Sequence, residues 1–379
     1  MNARRAATRA FWIVLCGALP LLTLYFAIAP NVLGDSQAAD FHFNYYYAAE
    51  AIRAGEDFYP PPDFVVRGPG GLIIDYVYPP FVALLIVPWT LLPVGLAEVL
   101  FQFLLIAVFV ATLVLLGVRD WRCYGLAFVW PPVTDAVATG NLSILLGFAA
   151  AVVWVYRDRA RVAGAALGVS IAAKVFLWPL TVWLAVTGRA RAAAWSVGVA
   201  AVTVLSSWAV VGFRGFAEYP DLVRRLTDRM DERSYSVYAL AVDVGLPASV
   251  AWGLWLAMAV AVLGACVVLA RRGDDQRAFV LALAAAIMFS PIVWLHYFAL
   301  LLVAVAIAQP RLAPIWFIGI PLQVVVETGV YNGSTFQTAA VLVAAAVTVG
   351  LALAPASWRF GRAEGYVPSR ATTVISSSR

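Results

Sequence analysis

Five stretches of this chain are apolar enough to cross a bilayer as helices: Phe11–Pro30, Val94–Val118, Ala192–Val211, Ser249–Ala270 and Gln337–Ala354. A spanning helix needs about 20 such residues. Hydrophobic residues make up 63% of the chain and charged ones 12%, against about 25% charged in soluble domains. A soluble fold has no way to cover that much hydrocarbon. The runs do not alternate polar with apolar residues, which excludes a β-barrel. The fold class is therefore all-α, a polytopic integral membrane protein.

The charges set an orientation. Arginines cluster at Arg4, Arg5 and Arg9, at Arg157, Arg159 and Arg161, at Arg189 and Arg191, at Arg271, Arg272 and Arg277, and at Arg359 and Arg362. Short basic loops stay in the cytoplasm, so both termini are expected there. The net charge of +5 then reports topology, and no nucleic-acid partner is expected. The excess of arginine over a lone lysine, with abundant Ala, Val and Leu, points to a GC-rich bacterial genome of the actinobacterial kind. The expected location is a bacterial plasma membrane. Cys16, Cys123 and Cys266 lie in apolar segments and read as small core residues. Phe11–Pro30 is too long for a signal-peptide core and reads as an uncleaved first helix.

Other segments are broken. Cys123–Val155 is interrupted at Trp130-Pro131-Pro132 and at Thr139-Gly140-Asn141, and Ala163–Val186 near Lys174 and Pro179. Broken helices are tolerated at membrane depth where they line a polar cavity. The expectation is roughly 10 to 12 spanning or broken helices in one membrane domain, residues 1–356, followed by a disordered cytoplasmic tail, residues 357–379. Pro80–Pro93 is short for a span: if it crosses, Arg119–Arg122 lies outside, and if it is re-entrant, inside, as the charge rule prefers.

One polar segment stands out, the first outer loop at residues 31–80. Asp40-Phe41-His42 opens a predicted helix that runs to Ala54 and stops at Gly55, a suitable C′ residue. Asp40 suits an N-cap and also a general base at the membrane surface. Asp35, in Gly34-Asp35-Ser36, is a reserve candidate that suits a turn. The aromatic run at Phe43, Tyr45, Tyr46 and Tyr47 suits an interfacial belt or a sugar-stacking surface. His42 and His296, the only histidines, both fall on the predicted outer face. Lys174, the only lysine, sits in an apolar segment, where an ionisable group is a functional candidate. Its ammonium suits a phosphate, although it also suits snorkelling to the interface. Asn141 can place an amide in the same cavity, after the Gly140 turn. The arginine-rich stretch Gly212–Tyr238 reads as a solvated amphipathic helix or a headgroup contact. No metal cluster, Walker loop, dinucleotide fingerprint or nucleophile elbow appears, so no cofactor is predicted and an ATP-driven pump is disfavoured.

Taken in order, Asp40, Tyr46, Gly55 and Tyr59, then Tyr78-Pro79-Pro80, then Gly140-Asn141, the lone Lys174, and Ser290-Pro291-x-x-Trp294-x-His296 resemble glycosyltransferase family 87. These are membrane transferases of the GT-C class that use polyprenyl-phosphate sugars. The resemblance covers about Phe11 to Ala354. Asn141 stands where that family usually has Gln, and His296-Tyr297 where a double His is frequent. The resemblance implies a GT-C-like fold and a lipid-linked donor, commonly mannose and in some members arabinose. It implies transfer to a lipid-linked glycan or glycolipid on the outer face, with inversion. The outer-loop base would be Asp40, with Asp35 in reserve. Lys174, His296, His42, Tyr46, Arg53 and Asn141 would bind the donor's phosphate and sugar. Two competing classes are a secondary transporter or lipid flippase, which should show repeated halves that this chain lacks, and a non-catalytic assembly subunit.

Overall fold

The computed structural model describes residues 2–34, 38–60, 76–230, 234–290, 292–326 and 334–355. Asp35, most of the outer loop beyond Pro60, Pro291 and the tail at 357–379 lie outside these. Among the described residues every regular element is helical. Five helices are long and apolar enough to cross a membrane: Arg4–Leu33, Val94–Leu115, Ala190–Val210, Ala248–Arg271 and Thr335–Leu353. They coincide with the five runs read from the sequence to within a few residues, except that the first begins earlier. The remaining legs are broken where expected. Trp121–Phe128 and Pro131–Thr139 are separated at Trp130, and Pro131–Thr139 meets Ser143–Val155 at a bend of 119° over Gly140. Ala160–Ala173 gives way to Trp178–Val186 after Lys174.

The bonds at the leg ends order the bundle. At one end Arg122 pairs with Asp120 at 2.7 Å and lies over the Trp12 ring. At that end too, Asp275 accepts from both Arg157 and Arg189, and Arg189 reaches on to Asp158. This network ties together three consecutive connections. At the opposite end Asn141 meets Asp40, Lys174 meets Tyr297, and Arg214 meets the carbonyl of Gly55. The legs between these contacts therefore alternate in direction: the Trp121–Thr139 pair leads from Arg122 to Asn141, Ser143–Val155 returns to Arg157, Ala160–Ala173 leads toward Lys174, and Trp178–Val186 returns to Arg189.

The short Pro80–Leu91 segment does not cross. Before it, the carbonyl of Tyr78 accepts from Tyr59 in the outer loop; after it, the carbonyl of Leu92 accepts from Tyr46. Both of its ends lie at the Asp40 end of the bundle, so it is a re-entrant hairpin. Arg119–Arg122 consequently sits at the end that carries the other basic loops.

Small residues set the tightest packing. Ala160–Ala173 carries Gly164 and Gly168, four apart on one face, and packs along Ala190–Val210. A Cβ on Gly168 would stand 2.6 Å from the Ser196 carbonyl and 2.7 Å from Val199 Cβ. In lipid, where no hydrophobic force drives helices together, such close backbone approach supplies the attraction. The first helix shows the same device at Val14–Ala18, where a π-helical turn lets the Cys16 backbone press against Gly125.

At the Asp40 end, the Gly212–Tyr219 connection clasps the outer loop. Arg214 donates to the carbonyls of Gly55 at 2.7 Å and Glu56 at 3.1 Å, capping the helix that ends there. Tyr59 stacks on Trp208, and Tyr219 donates to the Val77 carbonyl. Burial of the Tyr59 hydroxyl pushes its ionisation well above the ordinary tyrosine range. The amphipathic helix expected in this stretch forms at Tyr219–Met230.

Gly168→Val should lower the midpoint of thermal unfolding in detergent, with a cost of about 1–3 kcal/mol from overpacking. Gly198→Ala, on the neighbouring helix with open space around it, should be neutral or stabilising. Equal midpoints for the two variants would refute the close-packing account.

Candidate active site

The site is built where the outer loop meets two helix breaks. After Gly34 the chain re-enters as a π-helix, Asp40–Tyr46, and continues as Tyr47–Ala54, ending at Gly55 with φ 77°. The stop is the one expected. The start is not: Asp40 does not cap the helix with its side chain. Its carboxylate instead accepts from Asn44 Nδ2 at 3.0 Å and from Asn141 Nδ2 at 2.7 Å. The physical reason is the π turn, which keeps Asp40, Phe41, Asn44 and Tyr45 buried together. Single π turns recur at functional sites.

Asn141 is aimed by its own neighbours. Its Oδ1 accepts from the backbone N–H and the hydroxyl of Ser143 at 2.8 and 2.7 Å. That fixes which end of the amide faces Asp40, since only the NH2 end donates. The turn before it needs glycine twice over. Gly140 has φ 69°, and a Cβ there would stand 2.6 Å from Phe41 Cβ.

Lys174 lies at the next break, with extended backbone after Ala160–Ala173. Its Nζ is buried without a hydrogen-bond partner among the described residues. It sits 3.8 Å from the centre of the Tyr297 ring, 5.5 Å from Tyr78 and 5.9 Å from Phe176. Asp40 is close enough for the two charges to interact. An ammonium in a cage of ring faces gains cation–π attraction but keeps its three donors unsatisfied, so it is poised for an anion. Tyr45 and Tyr78, with ring centres 5.6 Å apart, complete the aromatic wall.

His296 belongs to the Leu295–Leu300 turn, where it is buried beside Tyr297. Its Nδ1 lies 3.0 Å from Asp135 Oδ2, and Nε2 has no partner among the described residues. Asp135, on Pro131–Thr139, escaped the sequence reading because its segment was taken as a break in a span. An acid within a run of apolar residues was the available signal.

Glu98 escaped for a different reason, being a single acid in Val94–Leu115, a run read as an intact span. It is buried and pairs with His42 Nδ1. The other ring nitrogen of His42 lies 2.8 Å from the Tyr47 hydroxyl. Of the remaining expected donor ligands, Tyr46 donates to the Leu92 carbonyl and Arg53 to that of Thr90. His42, Tyr46 and Arg53 therefore fasten the outer-loop helix to the re-entrant hairpin and its following span. Asp40, Asn141 and Lys174 converge, with His296 reached across Tyr297. Among the described residues no three His, Cys, Asp or Glu side chains group as metal ligands.

The model of glycosyltransferase family 87 matches residues 76–295. The chain belongs to that family. The match takes in Lys174, Asn141, Asp135 and the re-entrant hairpin, and ends one residue before His296. Neither curated proteins nor solved structures returned a match. The outer-loop helix that carries Asp40 lies before the matched residues of this membrane glycosyltransferase.

Glu98→Leu should destabilise the glycosyltransferase by about 1–3 kcal/mol, the usual cost of leaving a buried hydrogen-bonding partner unpaired. The double variant with His42→Leu should recover much of that loss. Unfolding midpoints of the four proteins in detergent give the coupling, and additive losses would refute the pairing.

Proposed function

We propose that this glycosyltransferase moves a mannosyl residue from a polyprenyl-phosphate donor to a lipid-linked glycan or glycolipid. The reaction takes place on the outer face of a bacterial plasma membrane, with both termini cytoplasmic. The observation that carries the reading is the meeting of a buried carboxylate with a buried, unpartnered ammonium. Asp40 and Lys174 arrive from distant parts of the chain at one end of the bundle.

These two charges suit the two ends of a glycosyl transfer. Asp40 takes the proton of the acceptor hydroxyl. The acceptor oxygen then attacks the anomeric carbon from the face opposite the phosphate. The bond from that carbon to the phosphate oxygen breaks, and polyprenyl phosphate leaves with the electron pair. One displacement inverts the anomeric centre. The two amide donors on Asp40 hold its carboxylate in a single orientation, which is what a base must have when its target is bound. Lys174 offers N–H donors to the phosphate as negative charge grows on it, in a water-poor site where such contacts count for most. The donor is activated by its own phosphate ester, so the step draws on no nucleotide.

The basic loops support this orientation. Arg157 and Arg189 lie at the end opposite Asp40, together with Asp275, as short cytoplasmic loops require.

The test is Asp40→Asn in membranes supplied with labelled polyprenyl-phosphate mannose. Transfer should fall by about 10²–10⁴-fold, the range for a lost general base. Undiminished transfer would remove Asp40 from the role.

A further inference from the structure

His296 and Asp135 stand 161 residues apart in the chain and face each other inside the bundle. Both side chains are more than nine-tenths buried. The ring is held on one side only: Nδ1 lies 3.0 Å from Asp135 Oδ2, while Nε2 is buried and unpartnered. Leaving a buried polar atom unpaired forfeits the hydrogen bond it would have made to water. An atom of this kind in a folded protein calls for an explanation, and a ligand is one.

The chemistry of the pair says which ligand. A carboxylate only accepts, so a carboxylate at Asp135 calls for the proton of the shared bond on Nδ1. In the neutral ring Nε2 then carries a lone pair and accepts. A phosphate oxygen brings only lone pairs and is refused by such an atom. A hydroxyl is its complement. Lys174 has the opposite character, with donors and no acceptor. Tyr297 stands between the two: its ring centre is 5.1 Å from that of His296 and 3.8 Å from Lys174 Nζ. An anion-seeking nitrogen and a hydroxyl-seeking nitrogen therefore flank one aromatic ring. A glycosyl phosphate presents its groups in that order, first the oxyanion and then the ring hydroxyls.

We infer that Asp135 and His296 form a hydroxyl-reading pair for the sugar of the donor. Asp135 sets the ring's tautomer and orientation, and Nε2 accepts a hydrogen bond from a sugar hydroxyl. The inference rests on the proposed use of a glycosyl phosphate and names a contact within that reaction. Asp135 touches no substrate and is a positioning residue, acting through His296. The contact discriminates as well as binds. A donor lacking the hydroxyl leaves Nε2 buried and unpaired, and sites built around such a bond reject the deficient analogue strongly.

The chain has two histidines, so ring-¹⁵N-labelled protein in nanodiscs gives two imidazole signatures. The one lost in His296→Gln belongs to His296. The wild-type ring should carry its proton on Nδ1 and leave Nε2 bare. Polyprenyl-phosphate mannose should shift the Nε2 resonance, and inorganic phosphate should not. An Nε2-protonated ring, an imidazolium, or a response to inorganic phosphate alone would overturn the inference.

Turnover provides the second arm. Asp135→Asn keeps the shape and removes the carboxylate, and kcat/KM for the donor should fall at least ~100-fold. Asp135→Glu keeps the carboxylate at the expense of shape and should retain more activity than the Asn variant. A purely structural aspartate would give the reverse order, and that order would overturn the assignment. A wild-type protein that transfers no mannose counts against the proposed donor alone, because the ring's tautomer is read without turnover.

Discussion

The hydrogen bond from Asn141 to Asp40 joins two parts of the molecule that lie 101 residues apart in the chain. One is the outer-loop helix, tied to the re-entrant hairpin by Tyr46 and Arg53. The other is the apex of the Trp121–Val155 hairpin, a turn inside the bundle. A carboxylate in a low-dielectric interior is costly unless it is hydrogen-bonded. Asp40 meets that condition with two amide donors. Each donor is itself set by local chemistry, Asn44 by the π turn and Asn141 by Ser143 and the left-handed Gly140. The position of the loop over the bundle follows from satisfying this one group.

The same logic repeats at smaller scale. Two of the breaks in the membrane legs expose backbone groups and place a polar side chain at the gap: Asn141 after Thr139, and Lys174 after Ala173. A continuous helix would have turned these side chains along its own axis. The breaks turn them inward instead, so the defects in the helices and the site are one feature. Close packing at Gly164 and Gly168 holds one broken leg, Ala160–Ala173, against the intact Ala190–Val210.

Much of this was legible in the sequence. The five long spans follow from hydrophobic length alone, and Pro131, Pro132, Gly140 and Pro179 mark where the other legs fail. Asp40, Asn141, Lys174 and His296 announce themselves as polar groups in or beside hydrocarbon. Asp135 and Glu98 carry the same signal and were overlooked, because a lone acid in a long apolar run does not disturb the run's mean. Their partners, His42 and His296, lie 56 and 161 residues away, and no local pattern predicts such pairs. The π-helix at Asp40–Tyr46 was illegible for another reason: its geometry answers to packing against Gly140 and Phe101 rather than to propensity. The re-entrant course of Pro80–Leu91 was half legible, since its length forbade a full crossing while only the loop charges argued for its return.

The legs around Lys174 are short. Trp178–Val186 has 9 residues, or about 14 Å of helix, against a hydrocarbon layer of about 30 Å. Lys174 therefore stands well inside the thickness that the long helices span, and the rings of Tyr297, Tyr78 and Phe176 enclose its ammonium. An anion that reaches it must leave the surface and give up water on the way, so depth itself sets a desolvation cost that only a well-matched ligand repays.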